Sequence, residues 1–417
     1  MTPARVLAIG FIYCCAAIAW FTLGSSVVER TGEKDSQLAT EVAQLWGGRH
    51  NQVAPDTFFE QPRTVIEQVQ ERTSDGALVL RDVTKTVYDR IPLSIAQSRI
   101  DVALDLDQRK KGLLWYNTYG VAFDGEYRIH NESMAPRTAK VHFAFPSTEA
   151  IYDGFQFSVD GHEAPPVTDL SQGLTLETTI APGAVAVAHI AYRSRGLGEW
   201  TYAFTQAGVA QVRDFHLNMK TNFGGIDFPA GTLSPTSRTP EGKGYALAWN
   251  FDSLVTGQRV GMDPPNRLNP GPLAARITFF APVSLLFFFT VMVILGVLRG
   301  HSLHPMNYFF LSAAFFAFHL LLAYLVDHIS IHLAFVIASA TSVFLVVSYL
   351  RVVTGMRTAL FDAGLAQLVY LVMFSYAFFF DGYTGLAVTL GSVATLFVLM
   401  QATARVDWTA AFAKQPS

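Results

Sequence analysis

Two cysteines, Cys14 and Cys15, are all that the 417 residues hold, and they sit side by side in one apolar run. No disulfide can therefore staple the middle of the chain, which has to be stable through a packed core. Charge is scarce as well: 15% of the residues are charged against 51% hydrophobic, a balance too apolar for an ordinary soluble protein. The scarcity is local, since charged residues are frequent from Glu29 to Arg267 and rare from Ile277 to Ala404. A net charge of -3 without a concentrated basic face argues against nucleic acid as a partner. Also missing are a nucleophile elbow, a Walker loop, an HExxH motif and paired carboxylates beside a histidine, so an enzyme has no residues to stand on, and neither a cofactor nor a resident metal is expected.

What the sequence does contain is membrane. Val6 to Leu23 is an apolar run preceded by Arg5, of the length a helix needs to cross a bilayer. A small-residue site near Gly24 leaves a cleaved signal peptide as the alternative. Tyr13 stands where lipoprotein acylation at Cys14 would want a small residue, so the two thiols read as apolar helix residues. Five further spans are expected at Ile277 to Leu298, Met306 to Val326, Ile331 to Leu350, Thr358 to Phe380 and Thr384 to Thr403, joined by turns short enough to make consecutive helices antiparallel neighbours. Arg5, Arg299, Arg351, Arg357 and Arg405 fall on one side of these spans, whereas Asp327, His328 and Asp381 mark the other and Arg276 is the exception. Basic short loops stay in the cytoplasm, which puts both termini inside and the large middle region outside, in the periplasm of a Gram-negative cell.

That middle region alternates apolar and polar residues with period two at Val141-Phe143-Phe145, Phe155-Phe157-Val159, Leu174-Leu176, Val185-Val187, Trp200-Tyr202-Phe204 and Leu217-Met219. Such alternation lays one face of a strand on a core and leaves the other in water. Asp160-Gly161 reads as a hairpin turn, and Pro165-Pro166 and Ala181-Pro182-Gly183 as further turns, so an antiparallel sandwich or barrel-like fold is expected. At Ser36 to Trp46, Leu38, Val42 and Leu45 fall at helical spacing, which continues the anchor as a short amphipathic helix. Thr232 to Lys243 reads as a loop and Asp263 to Pro272 as a Pro-rich link.

The membrane half carries Leu303-His304-Pro305-Met306-Asn307-Tyr308, then Leu320-Leu321-Leu322, Asp327-His328 and Ala334-Phe335-Val336-Ile337-Ala338-Ser339. Elsewhere stand Val28-Glu29-Arg30, Trp46-Gly47-Gly48, Arg109-Lys110-Lys111-Gly112-Leu113 with Tyr116 and Tyr119, and Asp407-Trp408. This series resembles the CreD family of bacterial inner-membrane proteins. The resemblance implies an anchor, a periplasmic β-rich domain, a terminal helix bundle, and a role in envelope integrity tied to envelope or cell-wall stress, without an agreed biochemical activity. Asp327 where glutamate is commoner, and a second span ending Gly296-Val297-Leu298-Arg299 without an acidic residue, depart from the family pattern.

Seven positions are candidates for function: Asp327, His328, His332, His319, His304, Pro305 and Met306. If helix continued through the turn, His328 and His332 would share a face beside Asp327 and could ligate a metal or take up protons; capping the turn or pairing with Arg276 is the plainer role. His319, in mid-span, is expected to hydrogen-bond Ser339, Ser342 or Tyr370, because an unpaired polar group is costly there. Asp362 is within reach of Arg357 or water. His304-Pro305-Met306 reads as a helix start, with a cytoplasmic partner as the functional alternative. Arg109-Lys110-Lys111 reads as a solvated strand end, with anionic headgroups as the alternative.

The sequence therefore predicts an α+β membrane protein: an N-terminal transmembrane anchor over 1–24, an extracytoplasmic β-rich domain over 25–272, a C-terminal bundle of about five transmembrane helices over 273–404 and a cytoplasmic tail over 405–417. It is expected to contact membrane lipids and, through the periplasmic domain, an envelope protein. The function expected is non-catalytic support or monitoring of the envelope. The competing class is a transporter, against which the few intramembrane ionisable groups and the lack of a repeat weigh.

Overall fold

The computed structural model describes residues 3–72, 78–112, 114–206, 208–267, 269–299, 303–380, 382–404 and 406. Asp381, Arg405, Asp407 and Trp408 lie outside these residues, as does the expected tail except for Val406. The chain divides into two compact units. One comprises Met1–Gln37, Gly112–Leu114 and Leu268–Ser417, the other Leu38–Lys111 and Trp115–Arg267.

The first unit holds six helices long and apolar enough to cross a membrane. They are α1 (Pro3–Trp46), α2 (Pro270–Leu298), α3 (Pro305–Leu325), α4 (Ile331–Thr354), α5 (Thr358–Phe379) and α6 (Thr384–Thr403). The anchor and the expected amphipathic segment are one continuous helix of 44 residues, whose residues from Leu38 onward belong to the second unit. In that last stretch Val42 is buried as its spacing suggests, but Leu45 is 62% exposed, so the amphipathic face is narrower than expected. Proline opens α2 and α3 at the first turn, where its missing N–H costs nothing. The bundle core is built from large side chains that interlock, among them Trp20, Phe288, Phe315 and Phe318, all fully buried. The fifth span is not a plain α-helix: Thr358–Gly364 and Leu368–Met373 are π-helical, with single α-turns between and after them.

The second unit is β-rich. Its main sheet has eight strands in the spatial order His162–Glu163, Tyr152–Val159, Val185–Leu197, Thr118–His130, Ser94–Leu106, Ala210–Thr221, Gly244–Thr256 and Ser237–Glu241. Burial alternates along Thr118–His130 and Val185–Leu197, and the inward residues Ile100, Phe123, Tyr127, Ile190, Phe215 and Leu217 join Val141 and Phe143 of a second sheet in one core. The expected hairpin at Asp160-Gly161 forms, both residues in the left-handed region and two strands antiparallel on either side.

Several expectations are corrected. The sheets are not purely antiparallel: Ser94–Leu106 runs parallel to Ala210–Thr221, His50–Val53 to Trp200–Ala203, and Thr232–Leu233 to Arg259–Met262. The segment from Thr232 to Lys243 is no plain loop, because Ser237–Glu241 forms an edge strand on Gly244–Thr256; its Pro240 is tolerated there since an edge leaves one side without ladder bonds. A long hairpin the sequence reading missed pairs Asp56–Arg72 with Leu78–Pro92.

Candidate functional site

The candidates cluster at the polar points of the helical unit. At the far end of α3 the chain makes a turn over residues 326–330 before α4 begins, so helix does not continue from His328 to His332. Ser330 is the N-cap of α4 in extended conformation, and His328 gives its backbone N–H to Leu325. Asp327 pairs with Arg30 at 3.4 Å and Lys34 at 3.5 Å, two cations one turn apart on α1. Two cations of α1 therefore face it. Arg30 also donates to the Ala323 carbonyl at 2.6 Å and lies 4.8 Å over the Tyr324 ring. A single guanidinium thus binds an orphan carbonyl at the C-terminal end of α3, an aromatic face and a carboxylate, fixing α1 against α3. His332 goes elsewhere, its ring 5.1 Å from that of Phe379 on α5. Among the described residues no three His, Cys, Asp or Glu side chains lie close enough together to hold a metal ion.

His319 is fully buried, but none of its expected partners is the one it finds. Its Nδ1 lies 3.0 Å from the Phe315 carbonyl one turn back, and its ring meets Trp20 edge-on at 5.6 Å. A histidine on a helix can donate locally to the i-4 carbonyl, which removes the need for a cross-helix partner at that nitrogen. Ser342 instead donates to the Ala314 carbonyl at 2.6 Å and receives Gln367 Nε2 at 2.7 Å, while Tyr370 donates to Thr395 Oγ1 at 3.1 Å. These bonds tie α3, α4, α5 and α6 together at mid-span, where a polar group has few alternatives to a neighbouring helix.

At the other end of the bundle the expected Asp362–Arg357 contact is replaced by Asp362 with Arg299, the C-cap residue of α2. Asp362 is buried and Arg299 half-exposed. Arg299→Ala should cost about 1 kcal/mol, the loss of a partner for a buried carboxylate softened by water at the exposed end. The check is a lower thermal midpoint in detergent for Arg299→Ala, with Arg299→Lys in between. His304 is the N-cap of α3, its Nδ1 accepting the Met306 N–H at 3.2 Å, with Pro305 at the first helical position. Met306 is half exposed.

Sequence reasoning missed Arg30, Lys34, Arg299 and Gln367. Only the first two left a signal, a pair of cations at i and i+4 just past an apolar run; Gln367 and Arg299 find their partners through tertiary packing.

Six membrane-length helices with an intervening β-rich unit define a multi-pass membrane protein. Residues 266–409 match the family model described as inner membrane protein CreD, the same family that the membrane residues resemble. No curated protein matches the chain significantly. Among solved structures, a proposed nutrient binding protein from Legionella pneumophila is 10% identical with a TM-score of 0.33, over 57% of this chain and 77% of that one. A two-domain M1 zinc metallopeptidase is 12% identical with a TM-score of 0.20, over 41% of this chain and 42% of that one.

Proposed function

We propose that this is an inner-membrane protein that supports or monitors the cell envelope without catalysis, its β-rich unit in the periplasm and its termini in the cytoplasm. The observation that carries the reading is how the charged residues at the span ends are used: Asp327 with Arg30 and Lys34, and Asp362 with Arg299, join helix to helix. Charges spent in this way make a rigid platform, whereas a transporter needs ionisable groups facing a pathway. The CreD match over the membrane half supports the same reading.

A second reading, a permease for an envelope component, draws on one feature. The π-helical fifth span carries Gln367 into a polar chain across the bundle, and π-segments often mark working parts of helices. The two readings separate in a deletion strain tested for detergent and β-lactam sensitivity. The envelope reading expects deletion to sensitise cells, the wild-type gene to restore resistance, and Asp327→Ala/His328→Ala at equal expression to restore it only in part. Gln367→Leu should restore it fully. An insensitive deletion strain overturns the envelope role, and a Gln367→Leu copy that alone fails to restore resistance moves the permease reading to the front.

A further inference from the structure

One cleft in the β-rich unit gathers polar groups that the fold itself does not use. It has a volume of about 250 Å³, and its lining comes from the starts of Asp56–Arg72, Ser94–Leu106 and Ala210–Thr221 and from Tyr202 to Thr205. Ser98 lies at its floor. That residue is 5% exposed, yet its hydroxyl has no hydrogen-bond partner among the described residues. A buried hydroxyl is normally paired, and the cleft is where this one can find a partner. Asp56 and Gln211 stand exposed at the rim, their carboxylate and carboxamide engaged by no other described residue. Phe204, Val209 and Val212 supply an apolar wall. Two irregularities border the cleft. The ladder of Ser94–Leu106 with Thr118–His130 slips between Ile95 and Gln97, and Asp214 has a φ of +40°. Gln97 donates to the Asp214 carboxylate and ties the two together. Bulges and strained residues concentrate beside working sites.

The lining chooses the class of ligand. Among the described residues Asp56 is the one charged side chain in it, which disfavours an anion. A cation would be served by that solvated carboxylate alone and would leave the Ser98 hydroxyl as it is. A hydroxyl, a carboxylate and a carboxamide beside an apolar wall match a sugar ring instead, whose hydroxyls both donate and accept while its C–H face is apolar. The volume falls just below the range of about 300–1,000 Å³ usual for ligand sites, so it admits one ring rather than a chain. We infer that this cleft binds a single neutral sugar residue, free or at the end of a glycan. Ser98 and Gln211 bond its hydroxyls from the floor and the rim, Asp56 accepts from another, and the C–H face lies on Phe204.

The test is saturation-transfer NMR on the full-length protein in nanodiscs, because glycoside detergents would compete for the cleft. The probes are glucose, galactose, mannose and N-acetylglucosamine, each also as its methyl glycoside. At least one should receive saturation from the protein. Ser98→Ala should weaken its binding about fivefold and Asp56→Asn about tenfold, the losses expected for a neutral and a charge-assisted hydrogen bond. Asp153→Asn, at an exposed ion pair with Arg193, should leave binding unchanged. A lost thermal midpoint identifies a variant that fails to fold, and the other variant then carries the test. A methyl glycoside that binds as well as the free sugar marks a glycan end as the source, and one that fails to bind marks free sugar; both uphold the site. The proposal is overturned if no probe binds, if binding is unchanged in the folded Ser98 and Asp56 variants, or if gluconate or ethanolamine binds where no sugar does.

Discussion

Gly47→Ala should destabilise the β-rich unit by about 3 kcal/mol or more, a large part of the roughly 5–15 kcal/mol that holds an ordinary domain folded. The position demands glycine twice over. Its φ is +104°, a conformation that costs a residue with a Cβ about 1–3 kcal/mol. A Cβ there would also lie 2.2 Å from the Arg195 carbonyl oxygen, a backbone atom that cannot swing aside. The glycine ends α1 with a hydrogen bond to the Ala43 carbonyl and hands the chain to Gly48, whose carbonyl receives the Leu197 N–H. The next residues, His50–Val53, then pair with Trp200–Ala203. Gly183→Ala separates the two costs: its φ is +68° but nothing lies within 4 Å of the added carbon, so it should lose only about 1 kcal/mol. Proteolysis rates and near-ultraviolet circular dichroism of the two purified variants report the difference. Equal losses would show that backbone strain alone sets the cost at Gly47.

The spans were legible because each is long, apolar and bounded, and the strands of the main sheet because one face of each meets a core. The hairpin of Asp56–Arg72 with Leu78–Pro92 escaped for the opposite reason. Ile66 is 67% exposed and Tyr88 60%, and cross-strand rungs such as Arg63 with Val87 and Val65 with Lys85 place one apolar and one charged residue on the same face. No face is consistently apolar along either strand, so period two never appears. The parallel pairing of Ser94–Leu106 with Ala210–Thr221 was equally hidden, since more than a hundred residues separate strands whose patterns read alike in either direction. At the site, residue type located Asp327, His319 and Asp362 but not their partners. Arg30 lies 293 positions from Ala323, and no local pattern spans that distance. His319 satisfied one nitrogen on its own helix, a local solution that mid-span cost arguments do not distinguish from a cross-helix one.

A pH dependence was also out of reach of the sequence, because it depends on burial alone. His50 sits in the β-rich unit with its Nε2 3.0 Å from Ser194 Oγ, and Ser194 sends its own proton to the Ile151 carbonyl at 2.9 Å. The imidazole must therefore be the donor, a neutral ring protonated at Nε2. The rings of Tyr119 and Tyr152 flank it, and burial holds both phenols protonated and neutral. Burial lowers the His50 pKa to about 4, against a smaller raising effect from the Gly48 backbone. The unfolded chain binds a proton near pH 6.5 and the folded one does not until about 4, so this group's contribution is intact above pH 6.5 and is lost as pH falls toward 4. The loss by pH 4.5 is about 2–3 kcal/mol at 1.36 kcal/mol per pKa unit. His50→Gln keeps a donor for Ser194 and removes the titration. Chemical denaturation of the β-rich unit at pH 7 and pH 4.5 should show the wild type losing about 2–3 kcal/mol more than the variant. If both lose the same amount, His50 takes up its proton in the folded protein, and the pocket around it admits water or opens on acidification.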